Sequence, residues 1–152
     1  MKNIPKITRA FLIGVTLLMP HVASAENLKI TRLACDALVT ETYPNGQKDQ
    51  SREKFTLVIE TYSNGYTVFG AETPKVFISM PSRGKKGVAE VIDNSSPEVW
   101  RYNLSATIKG RPVSSSLKLD RVTGEFYYQQ FSVITTDIAG FCEKTDAGHR
   151  KF

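Results

Sequence analysis

Histidine and cysteine are scarce in this 152-residue chain, with two of each, and tryptophan occurs once. Histidine is the usual general base at neutral pH and the commonest metal ligand. Here His21 lies near the N-terminus and His149 near the C-terminus, beyond the last expected strand. A serine or cysteine nucleophile therefore has no base within the folded region. Four cysteines, or two histidines with an acid, cannot be assembled for zinc. No glycine-rich phosphate loop opens a helix, because no amphipathic helix pattern occurs beyond the first 25 residues. Carboxylates are present, but Asp36, Glu41, Glu60, Glu90, Asp93, Glu98 and Glu125 are scattered, and no spacing selects a catalytic pair. These scarcities set the expectation of a chain that is not an enzyme, with no catalytic residues, no metal and no cofactor.

Long apolar runs are also missing. The longest candidate, Ala10 to Met19, has about half the length a membrane-spanning helix needs. It is preceded by Lys2, Lys6 and Arg9, ended by Pro20, and followed by the small residues Ala23-Ser24-Ala25. This order is that of a cleaved secretory signal peptide over residues 1–25. The mature chain is expected to start at Glu26 and to work in the periplasm or outside the cell, with no membrane span after cleavage. The leader also carries much of the basicity. The whole chain has 20 Lys and Arg against 15 Asp and Glu; without the three leader cations the balance is 17 against 15, a net of +2. So small a charge gives little counterion-release drive toward nucleic acid, which is not an expected partner.

Cys35 and Cys142 are both retained in the mature chain. In an oxidising compartment an isolated even pair reads as a disulfide, here closing a loop of about 100 residues. Such a bridge should contribute about 4–5 kcal/mol and hold the two Cα atoms about 5–6 Å apart.

Between the cysteines the apolar residues recur with a period of two. Phe55, Leu57 and Ile59 share one face of an extended segment, as do Val113, Leu117 and Leu119, and so do Trp100, Tyr102, Leu104, Ala106 and Ile108. Further strands are expected over Leu28 to Thr42, Tyr66 to Gly70, Lys75 to Met80, Gly87 to Asp93 and Gly124 to Ile134. Asn64-Gly65 suits a two-residue hairpin with both φ angles positive. Pro44-Asn45-Gly46 suits a type I turn closed by glycine, Lys109-Gly110-Arg111-Pro112 a further turn, and Asp120 to Gly124 a longer loop in which the Asp120 carboxylate accepts backbone N–H groups.

Short connections make the expected fold all-β, an antiparallel up-and-down meander of about eight strands. A closed barrel is favoured over a two-sheet sandwich, because the cross-linked first and last strands must meet for the sheet to close. One β domain is expected over residues 26–143, with a flexible tail over 144–152. The architecture resembles that of the lipocalins, which are small, exported, eight-stranded and often disulfide-bonded. Their Gly-x-Trp near the first strand is absent, since Trp100 stands mid-chain, so the resemblance is one of architecture and carries no function.

Three groups of residues are candidate binding features. Arg83, Lys85 and Lys86 concentrate positive charge in a loop suited to an anionic sugar, a lipid headgroup or an acidic protein surface; the alternative is a solvated hairpin tip. Trp100 and Tyr102 suit the lining of a cavity or a plain core. Tyr127, Tyr128 and Phe131 lie in a strand with aromatics on both faces, where inward Phe126 and Tyr128 would leave Tyr127 and Phe131 outward as a contact surface. Arg121 reads as a loop-tip residue. The expected function is therefore binding, with an envelope protein or polymer as partner. The alternative is carriage of a small lipophilic or amphiphilic ligand inside the barrel.

Overall fold

A computed structural model describes residues 28–145; the expected leader, most of the expected tail and His149 lie outside the described residues. Nine strands follow one another without a helix: β1 (Lys29–Thr42), β2 (Lys48–Thr61), β3 (Thr67–Glu72), β4 (Phe77–Pro81), β5 (Ala89–Asp93), β6 (Val99–Ile108), β7 (Arg111–Asp120), β8 (Glu125–Phe131) and β9 (Thr135–Lys144). They form one nearly closed, barrel-shaped sheet in the order β4-β3-β2-β1-β9-β8-β7-β6-β5, every hydrogen-bonded pair being antiparallel. The expected meeting of first and last strands occurs between β1 and β9.

The ninth strand is β9, for which no separate strand was expected. Its inward positions are Thr136, Ile138, Gly140 and Cys142, so the apolar alternation that marks other strands is interrupted. Gly140 is required: a Cβ there would collide with the Asp36 carbonyl and with Ala37 on β1. β2 likewise starts at Lys48, well before Phe55, because its polar half pairs residue by residue with the long β1. Nine strands cannot alternate direction all the way round a barrel. β4 and β5, the first and last in the order, have the same sense, and no ladder joins them.

The register gathers one face of every strand into a common apolar core. Leu57, Phe69, Met80, Phe126, Tyr128 and Ile138 are buried there. Phe69 on β3 meets two rings of β6 across the interior, Trp100 at 5.2 Å and Tyr102 at 5.5 Å between centroids. This contact spans the part of the wall where β4 and β5 leave a seam. Phe55 and Phe126 meet edge-on at 6.2 Å between centroids. The interior is therefore occupied by the protein's own side chains, while Arg101, Asn103, Ser105, Ser116 and Lys118 alternate onto the outside.

The Cys35–Cys142 disulfide joins directly paired residues of β1 and β9. Its Cα separation of 4.1 Å is shorter than the expected 5–6 Å, because the ladder itself holds directly opposite residues close.

One turn differs in type from expectation. The 62–66 connection is a three-residue loop, with Gly65 N donating to Tyr62 O and only Gly65 at positive φ, 77°. The 43–47 connection repeats it, with Gly46 N donating to Tyr43 O, as expected for Pro44-Asn45-Gly46. Both carry Glu-Thr-Tyr-x-Asn-Gly, and each tyrosine hydroxyl donates to the glutamate two residues before it. The two-residue turn with both φ positive occurs instead at Lys109-Gly110, at 50° and 76°. The 120–124 loop is as expected: Val122 N and Thr123 N both donate to Asp120 Oδ1, which holds that carboxyl below its ordinary pKa.

Candidate functional site

The outer surface carries a groove of about 730 Å³ over β5 to β8. Register explains its shape. Glu90 pairs with Ser105, Ser105 with Ser114, and Ser114 with Phe131, so these four side chains form one row across four strands on the outer face. Two serines in the middle make a low floor. Phe131, 47% exposed, stands at one end, and the Glu90 carboxylate stands at the other. Thr107 and Pro112 extend the lining toward the 109–110 turn, and Gly87 and Val88 extend it toward the 82–88 connection.

Both connections carry cations next to the lining residues. Lys85 and Lys86 precede the lining residues Gly87 and Val88. Their turn is closed by Val88 N and Ala89 N, which both donate to Lys85 O. Gly84 allows it, since a Cβ there would strike the Ala89 carbonyl. Lys109 and Arg111 stand between Thr107 and Pro112. None of these four cationic side chains has a hydrogen bond or ion pair among the described residues, where the ion pairs are Arg52–Asp36, Lys75–Glu53 and Lys118–Glu125.

The expected binding residues divide between this groove and other places. Phe131 lines the groove, and Lys85 and Lys86, from a separate stretch of sequence, immediately precede its lining residues Gly87 and Val88. Arg83 does not join them: its Nη2 donates to Asn64 O at 3.1 Å, tying the connection to the 62–66 loop. Trp100 is half-buried between Phe69 inside and the Arg121 guanidinium, which lies 4.7 Å from its ring centroid. Arg121 is thus more than a loop tip, since it also donates to Pro97 O at 2.7 Å and caps that end of the barrel. Tyr102 and Tyr128 are buried inside, and burial raises the pKa of both hydroxyls, keeping them neutral. The Tyr128 hydroxyl donates to Gln130 Oε1. Tyr127 faces outward, as the inward setting of Phe126 and Tyr128 requires, and donates to Asp137 Oδ1 at 3.2 Å.

Glu90, Ser105, Thr107, Ser114, Lys109 and Arg111 carried no signal as a group in sequence. Only the strand register gathers them. Other exposed apolar side chains lie elsewhere, notably Leu38 and Phe141 on the outer face of β1 and β9. A second open groove, of about 690 Å³, crosses β2 to β4 between Val58, Val68 and Phe77, with Glu60 and Glu72 in its lining. Among the described residues no three His, Cys, Asp or Glu side chains are grouped to hold a metal ion, and no helix is long and apolar enough to cross a membrane. No protein-family model, curated protein or solved structure matches the chain.

Proposed function

We propose that this chain is an exported, non-enzymatic β domain that binds an envelope component through the outer groove over β5 to β8. The observation that carries the reading is the contrast between a filled interior and an open, partly aromatic groove with unpartnered cations next to its lining residues. A carrier needs a ligand-sized hollow within the barrel, and Phe69, Trp100, Tyr102, Phe126 and Tyr128 occupy that space. The secretory leader and the Cys35–Cys142 disulfide both suit an oxidising compartment outside the cytoplasm.

Passing envelope fractions over the immobilised protein tests this reading. A saturably retained species is expected, and Phe131→Asp or Ser114→Arg should weaken its retention at least about tenfold, an effect on the scale of losing one anchor side chain. Both positions face outward on the sheet, so the variants should keep the wild-type unfolding temperature to within a few degrees. Retention unchanged by both substitutions but lost with Phe141→Asp would move the site to the β1–β9 face and contradict the groove.

A further inference from the structure

The chemistry of the groove narrows its occupant, on the assumption that the binding reading above holds. We infer that it takes an anionic saccharide chain, one whose sugar rings carry carboxylate groups.

Three observations converge on this class. The first is charge complementarity. Lys85 and Lys86 adjoin the lining residues Gly87 and Val88, and Lys109 and Arg111 lie in the turn between the lining residues Thr107 and Pro112, all without partners, whereas Glu90 is the one carboxylate in the lining. The groove over β2 to β4 has Glu60 and Glu72 in its lining instead. The second is the floor. Ser105 and Ser114 occupy consecutive places in one row, with Thr107 beside them, and each hydroxyl donates one hydrogen bond and accepts others. A sugar ring presents hydroxyls with the same dual capacity. An acidic protein segment would instead find no deep apolar pocket for an anchor side chain, which is what dominates protein interfaces. The third is Phe131, which stands at the end of the row and offers a flat apolar surface to the C–H face of a ring. From Glu90 to Phe131 the row crosses three interstrand spacings, about 14 Å in all, enough for an oligosaccharide of roughly three rings.

Lys109 adds a detail. It is the only described non-glycine residue at positive φ, 50°, a conformation that Asn or Gly adopts at less strain. A lysine kept there puts its charge at the tip of the turn between two lining residues.

The test titrates the protein calorimetrically at low salt with oligogalacturonate, with its neutral methyl ester, and with poly-L-glutamate of similar charge. Saturable binding of oligogalacturonate is expected, at least about tenfold tighter than either comparison, and weakening as salt is raised. Lys109→Glu with Arg111→Glu, and separately Phe131→Ala, should each weaken it about tenfold or more. Lys54→Glu on β2, away from the groove, should leave it unchanged. Thermal unfolding of every variant verifies that it is folded. Poly-L-glutamate binding as tightly as oligogalacturonate would assign the groove to an acidic protein segment and overturn the inference. So would binding indifferent to Phe131→Ala. Absent oligogalacturonate binding, with an envelope species still retained in a Phe131-dependent way, overturns the saccharide assignment alone; loss of both results removes the groove as a site.

Discussion

Replacing both cysteines, as Cys35→Ala with Cys142→Ala, is expected to lower the unfolding free energy by about 4–5 kcal/mol. The bridge spans 107 positions, and in the chain-entropy description so long a loop restricts the unfolded chain severely. The folded state loses less. Cys35 and Cys142 are already paired residues of the β1–β9 ladder, which runs from Leu33–Lys144 to Thr42–Thr135 and survives the substitution. The double variant should therefore keep the wild-type fold by circular dichroism while its unfolding temperature falls by roughly 12–25 °C. Set against a usual total of about 5–15 kcal/mol, such a loss brings the domain near its limit. Urea unfolding of the oxidised protein and the double variant measures the difference. A loss below about 1 kcal/mol would mean that the unfolded chain is held compact by something other than the bridge.

The second large effect is expected at Phe69. Phe69→Ala should destabilise by about 3–5 kcal/mol, the range for emptying a fully buried aromatic site, since Phe69 is 0% exposed. Its position makes the consequence directional. The sheet has no ladder between β4 and β5, and the Phe69 contacts with Trp100 and Tyr102 join β3 to β6 across that seam. Without the ring, amide exchange should accelerate first in β4 and β5, ahead of β1, β2 and β9. Trp100 emission should shift to longer wavelength as water reaches the indole. Phe69→Leu should recover much of the stability. Phe126→Ala empties a comparable site away from the seam, with 1% exposure, and serves as the comparison; equal exchange patterns in the two variants would contradict the seam's dependence on Phe69.

Period-two alternation was sufficient to read the barrel wherever inward residues are large, as in Phe55-Leu57-Ile59 and Trp100-Tyr102-Leu104. It failed where a strand's inward side is dictated by a neighbour. In β9 the close approach of Ala37 requires Gly140, and the disulfide requires Cys142, so the strand carries little apolar signal. In the first half of β2 the ladder to β1 extends the strand through Lys48 to Lys54 without any apolar face. Turn chemistry was legible at Pro44-Asn45-Gly46 and at Asp120. At Asn64-Gly65 the dipeptide suggested a two-residue turn, but Ser63 joins the loop and only Gly65 needs positive φ.

Of the site, the individual charged and aromatic residues were visible, and their grouping was not. Lys86 and Phe131 are far apart in sequence, and only the β5–β6–β7–β8 register brings their neighbourhoods together. Ser105 and Ser114 read as ordinary outward residues of amphipathic strands, which they also are. Trp100 and Tyr102 looked equally suited to a cavity or a core, and the position of Phe69 between them is a matter of tertiary packing that no local pattern encodes.

The most direct test is an amide-resolved NMR titration with the retained envelope component, because it locates binding residue by residue. Shifts concentrated at Glu90, Ser105, Ser114 and Phe131, and through the 85–88 and 109–111 connections, are the predicted result. Shifts concentrated instead on the interior residues Phe69, Tyr102 and Tyr128, with the outer row unaffected, would contradict a domain that binds through its outer groove.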